Sequence, residues 1–123
     1  MLDIGCGNAP LTIELAKRYP KARVTGIDYW GVTWEYSKTT CEKNAGIEGV
    51  ASRTTFKKGS ASALPFEDEC FDAVVYGHAH VTASKNNGKT LIVSPGELCG
   101  YLTGKSTLAL LDTVKREAKI IEL

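Results

Sequence analysis

The strongest constraint on this 123-residue chain lies at its start, in Leu2-Asp3-Ile4-Gly5-Cys6-Gly7-Asn8-Ala9-Pro10. A short apolar strand end runs into a glycine turn and then into a helix. Asn8 reads as the N-cap, and Pro10 suits the first turn, where its missing N–H costs nothing. Leu11, Leu15, Ala16 and Tyr19 recur at helical spacing, so one face of this helix is expected to pack on a sheet until Tyr19-Pro20 ends it. Glycines in such a turn let the backbone approach a ligand closely, and the helix N-terminus adds positive potential. Parallel strands usually run longer than Leu2-Asp3-Ile4, so the chain reads as clipped at this end.

The following segments repeat the pattern. Residues 23–28 predict a second strand ending in an acid, Asp28. A second helix is expected over residues 32–44, with Gly46 as its stop signal. Residues 54–58 and 71–76 predict a third and a fourth strand, the last an apolar run of the kind buried on both faces. The alternation predicts an α/β fold, a Rossmann-like doubly wound parallel sheet with ligands at the carboxyl ends of its strands. An acid about 20 residues beyond the glycine turn is placed to accept hydrogen bonds from a ribose diol, which is the role expected of Asp28. Trp30, Trp34 and Tyr36 read as packing around the second helix, as does Cys41. Lys57 and Lys58 read as a solvated edge.

Composition narrows the function classes. A 43% hydrophobic and 24% charged chain of net charge +1 is an ordinary globular protein, with no electrostatic case for nucleic acid or an anionic membrane as partner. Cys6, Cys41, Cys70 and Cys99 form no C-x-x-C pair, which speaks for reduced thiols in a cytoplasmic protein. No apolar run reaches the roughly 18 residues of a membrane span.

Beyond residue 75 the character changes. Tyr76-Gly77-His78-Ala79-His80 follows the fourth strand, and two histidines one residue apart project to the same side of an extended chain. They could reach neighbouring metals. Asn86-Asn87-Gly88 is a turn signal. Residues 90–93, 107–111 and 118–121 predict short strands, the last two joined by a polar turn at 112–116. The expectation is a β-rich C-terminal meander with little helix, and with no crossover helix left to build a parallel strand. The whole is expected to be a single domain, with residues 1–75 as a cofactor-binding half and 76–123 as C-terminal strands.

LDIGCGNAP, GIDYW and GSASALPFEDECFDAVV, in that order, resemble the class I methyltransferases that use S-adenosylmethionine, over residues 1–75. The resemblance implies that the loop carrying Asp3, Gly5, Cys6 and Gly7 faces the methionine part of the cofactor. It implies that Asp28 holds the ribose hydroxyls, that Tyr29 lies beside the adenine, and that Ser60 and Ala61 sit at the adenine edge. The family usually has Asp-Ala at that edge, and its third loop glycine is Ala9 here. VVYGHAH, LIVSPGELCGYLTG and STLALLDT resemble the C-terminal end of small calcineurin-like metallophosphoesterases of the phosphodiesterase kind, over residues 71–123. That resemblance implies His78 and His80 as ligands of a divalent metal such as manganese. The upstream ligand motifs of that family, Asp-x-His, Gly-Asp and Gly-Asn-His, do not occur in this sequence.

The sequence therefore reads as a join of two families, with FDAVVY serving both. The leading expectation is a methyltransferase-like domain that binds S-adenosylmethionine, its acceptor-side half replaced. The alternatives are a metal-dependent phosphodiesterase fragment, or a chimeric protein without catalysis. Neither the methyl acceptor nor the oligomeric state is encoded in any motif.

Overall fold

The computed structural model describes residues 1–31, 37–68, 70–77 and 79–123. They form two compact units, Met1–Phe66 and Glu67–Leu123, dividing upstream of the change in character read at residue 75. Among the described residues no helix is long and apolar enough to cross a membrane.

The first unit alternates strand and helix: β1 (Leu2–Ile4), α1 (Pro10–Arg18), β2 (Val24–Asp28), α2 (Lys38–Ile47) and β3 (Thr54–Lys58), with a single 3-10 turn at Ala51–Arg53. The three strands are parallel with β2 in the middle, and Ile4 lies opposite Ile27 while Asp28 lies opposite Lys58. Leu2, Val24, Ile27 and Phe56 on the strands, Ile13, Leu15 and Ala16 on α1, and Cys41 and Ala45 on α2 form its core. Gly26 sets how closely α1 lies on the sheet. A Cβ there would come within about 3.0 Å of Thr12 Oγ1, Cys6 Sγ and Phe56 Cδ1, so only glycine fits.

The helix ends depart from the sequence reading in three places. The N-cap of α1 is Ala9, not Asn8; Ala9 has φ 72° and offers no side-chain cap. The buried face of α1 is Thr12, Ile13, Leu15 and Ala16, whereas Leu11 is exposed. Thr12 can turn inward because its hydroxyl donates to the buried carboxylate of Asp3 at 2.6 Å, a partner that periodicity does not register. The described part of α2 starts after Ser37, whose Oγ accepts from Thr40 N at 3.1 Å, and it runs through Gly46 to Ile47. The stop is Gly49, at φ 70°. Val50 N–H bonds Ala45 O and Gly49 N–H bonds Gly46 O, the paired bonds of a Schellman motif. Residues 32–36, where the sequence predicts the start of this helix and where Trp34 and Tyr36 fall, lie outside the described residues. At the other end of the helix layer, Arg53 Nη1 donates to Ala16 O and Tyr19 O, placing a cation on the C-terminal carbonyls of α1.

The second unit contains β4 (Ala73–Tyr76), β5 (Thr82–Asn87), β6 (Thr90–Pro95), β7 (Thr107–Asp112) and β8 (Glu117–Glu122), and no helix among its described residues. It is not a simple meander. β6 pairs with β4 in parallel and with β5 antiparallel, while β7 and β8 form a separate hairpin. The parallel pair forms without a crossover helix because β5 carries the chain back along the outer side of β6. Sequence pattern misses β5, whose Thr82-Ala83-Ser84-Lys85-Asn86-Asn87 is mostly exposed; what makes it a strand is the ladder that β6 offers. β4 is buried at Ala73 and Val75 but only half-buried at Val74 and Tyr76, so the expected burial on both faces is incomplete.

The loop between β6 and β7 is built around a carboxylate. Glu97 is 6% exposed, and this burial is compensated on both oxygens. Its Oε1 accepts from Leu102 N at 2.8 Å, from Thr103 N, and from Thr103 Oγ1 at 2.7 Å. Oε2 lies 2.8 Å from His80 Nδ1. Gly96, Gly100 and Gly104, all at positive φ, supply the turns that bring these donors to one point. The Thr103 N–H, with further help from its hydroxyl, from His80 and from the Leu102 N–H, holds the Glu97 carboxyl down at about 2 against an ordinary 4.5, although burial opposes it.

Gly26 of β2 and Gly46 of α2 should respond oppositely to substitution. Gly26→Ala should destabilise by about 1–3 kcal/mol through overpacking, while Gly46→Ala, a helix-interior site with open space around it, should stabilise by about 1 kcal/mol. Urea unfolding of both variants checks the pair, and a destabilised Gly46→Ala would restore Gly46 as the stop. For Glu97 the sign is that of a depressed carboxyl: its contribution is complete above pH 4.5 and is lost as pH falls toward about 2. Asp3 works in the opposite direction, since burial raises its carboxyl despite the Thr12 bond. The difference in acid unfolding between wild type and Glu97→Gln isolates the Glu97 contribution and should vanish below pH 2.

Candidate functional site

The carboxyl ends of β1 and β2 meet through the loop that follows β1. Gly5 N and Cys6 N both donate to Ile27 O, at 2.9 and 3.0 Å, which folds the loop over the end of β2. Gly7 N then donates to Asp28 Oδ2 at 2.9 Å, and Trp30 N donates to Asp28 Oδ1 at 3.1 Å. Gly5 has φ 77° and Gly7 φ 54°, and a Cβ on either would meet open space. Gly59 N–H bonds Asp28 O at 3.0 Å, which brings the segment after β3 to the same edge.

Of the residues expected at the site, Gly5, Gly7 and Asp28 come together through this loop. Asp3 and Cys6 lie in it but turn their side chains into the core. Asp3 is bonded to Thr12, and Cys6 is 4% exposed with its sulfur beside Gly26. Burial, reinforced by Asp3, Cys41 and Asp28, pushes the Cys6 thiol well above its ordinary range, and burial raises Cys41 as well. Both stay protonated thiols and are poor nucleophiles. Tyr29 is exposed at the rim, with Lys58 Nζ 5.1 Å from its ring centre, so Lys58 is more than a solvated edge. Ser60 is held locally, its Oγ 2.8 Å from Ser62 Oγ, and Ala61 is exposed.

The second expected site is not assembled among the described residues. His78 lies outside them. His80, in a left-handed conformation at φ 57°, gives Nδ1 to Glu97, which leaves only Nε2 for a ligand. No three His, Cys, Asp or Glu side chains group to hold a metal among the described residues. The donor set does not fit a two-metal centre, which needs about six or seven ligand groups.

Several residues of the first site escape sequence reasoning. Trp30 Nε1 donates to Gly7 O at 3.1 Å, and Cys41 Sγ donates to the same oxygen at 3.1 Å. Asn44 Nδ2 donates to Asn8 O at 3.0 Å. Three side chains from distant positions thus hold the carbonyls of the glycine loop. Trp30 and Cys41 carry ordinary packing signatures, and no local pattern sets them apart. Glu97 had a faint signal, an acid placed among left-handed glycines after an apolar strand.

Known proteins of two kinds match parts of the chain. The sequence profile of the family described as Methyltransferase domain matches residues 1–92. A demethylmenaquinone methyltransferase of Roseiflexus castenholzii is 38% identical over 77 residues, 62% of this chain and 29% of that protein. A phosphodiesterase of Methanocaldococcus jannaschii is 45% identical over 64 residues, 52% of this chain and 39% of that protein. The chain thus spans well under half the length of either relative. Among solved structures the 4+2 cyclase SpnF aligns with a TM-score of 0.54 at 26% identity, over 64% of this chain and 27% of that one. Because the family profile extends from the first residue through β4, β5 and into β6, the chain belongs to the methyltransferase domain family.

Proposed function

We propose that the chain binds S-adenosylmethionine, or its demethylated product, at the carboxyl ends of β1 and β2. The observation that carries this reading is the Asp28 carboxylate fixed against the Gly7 N–H. Among the described residues each oxygen of Asp28 takes one N–H, which leaves room for a second donor. A ribose diol brings two O–H donors, and the carboxylate charge strengthens both bonds. Open space over Gly5 and Gly7 suits the methionine portion. Tyr29, Ser60 and Ala61 would flank the adenine, with the Ser60 hydroxyl standing where a carboxylate is usual in such sites.

When bound, the cofactor supplies an electrophilic methyl group on a sulfonium sulfur. The role of this chain's residues is to bind and orient, and the rate of transfer would rest on proximity to an acceptor. No acceptor or general base is assigned.

A second reading concerns residues 71–123, and the phosphodiesterase match supports it. On this reading they are the C-terminal part of a metallophosphoesterase joined to a methyltransferase half, and His80 is an orphaned ligand. Such a fragment lacks the groups that clamp two ions and is not a hydrolase.

Calorimetric titration with S-adenosylhomocysteine should show one site, and Asp28→Asn should weaken it roughly 10- to 100-fold, the loss expected for charge-assisted bonds. No heat at millimolar ligand would overturn the cofactor reading. With manganese and an aryl phosphodiester, no turnover is expected; hydrolysis that disappears in His80→Ala would instead make the second half a working hydrolase.

A further inference from the structure

Trp30 occupies a conformation that a bulky residue rarely adopts, φ 41°, directly after the proposed ribose ligand and its neighbour. Such backbone is strained and persists only where surrounding contacts over-determine it. Three hydrogen bonds do so here. The Trp30 N–H binds Asp28 Oδ1, Asp28 Oδ2 receives the Gly7 N–H, and Gly7 O receives the Trp30 indole N–H. They close a circuit through three residues: each side of the Gly7 peptide unit is tied, and each oxygen of Asp28 is aimed. Cys41 adds a second donor to Gly7 O from α2.

A loop with glycine at two positions is costly to order, and a ligand that must order it binds more weakly. We propose that Trp30 is a positioning residue for the cofactor, an indole latch that fixes the glycine loop against Asp28 before the ligand arrives. The proposal rests on the S-adenosylmethionine reading above. It differs from a packing role, because half-buried aromatic bulk alone does not require the indole N–H or the left-handed backbone.

Trp30→Phe keeps an aromatic side chain, though a smaller one, and removes the donor. It should retain the wild-type fold while its affinity for S-adenosylhomocysteine falls about 3- to 10-fold, as expected for one hydrogen bond. Trp30→Gly relaxes the backbone at φ 41° and should bind more weakly as well, which separates the latch from the strain. The second readout is proton exchange of the Trp30 indole N–H by NMR, its resonance identified by its loss in Trp30→Phe or, should that variant not fold, in Trp30→Gly. Protection in the free protein that deepens with S-adenosylhomocysteine is expected. Equal or tighter binding by Trp30→Phe, or an unprotected indole N–H in wild type, overturns the latch while leaving the cofactor reading intact. Failure of wild type itself to bind overturns both.

Discussion

The close approach of α1 to β2 at Gly26 is the constraint on which the first unit depends. Thr12, Cys6 and Phe56 all converge on the space a Cβ would need there. That approach lets Thr12 reach the buried Asp3 and satisfy it, and it lets Cys6 fill the gap beside the sheet. With Cys6 anchored inward, the backbone on either side of it is drawn across the end of β2, where Ile27 O takes two N–H donors and Asp28 takes a third. The geometry proposed for ligand binding is thus a consequence of close packing one residue pair below it. Parallel strands end together because their register is set by side chains in the core, and the loop above inherits that alignment.

Much of this is legible in the sequence alone. β2 and β3 lie where the sequence places them, and the glycine turn and Asp28 meet at the strand ends. The misses share a cause: each turns on a hydrogen-bond partner that hydrophobic periodicity does not register. Gly46 and Gly49 are both plausible stops, and only the bonds from Gly49 and Val50 back to α2 decide between them. Thr12 counts as polar in any periodic pattern, yet it is fully buried because Asp3 accepts a hydrogen bond from its hydroxyl. β5 has no apolar alternation at all and exists as a strand through the backbone of β6. Ala9, standing in a left-handed position, shows a near balance. Glycine there would relieve about 1–2 kcal/mol of backbone strain but would give up a buried methyl worth about 0.8 kcal/mol and would add chain entropy to the unfolded state.

The same arrangement, a carboxylate gathering backbone N–H groups, recurs through the chain with different outcomes. Asp112 turns the β7–β8 hairpin by accepting from Val114 N and Lys115 N at its Oδ1, and the Lys115 N–H, helped by the Val114 N–H, lowers its carboxyl although burial opposes it. Glu97 organises the loop between β6 and β7 and orients His80. Asp28 holds the glycine loop. In the sequence each of these is one acid among fourteen, and which of them is structural depends on what surrounds it.

Remaining capacity separates them. A carboxylate offers about two acceptor positions on each oxygen. Glu97 Oε1 already receives three donors and is filled, and Oε2 faces His80 in a group only 6% exposed, so the carboxylate is buried and committed to its loop. Among the described residues Asp28 receives one donor per oxygen and is only half-buried, which leaves an acceptor position on each oxygen for a further donor. A filled carboxylate stabilises a loop; a half-filled one, held in place by the loop it stabilises, is ready to receive a diol. On that ground Glu97 and Asp28, alike in their local chemistry, suit different roles, and the proposed ligand-binding role is the one that fits Asp28.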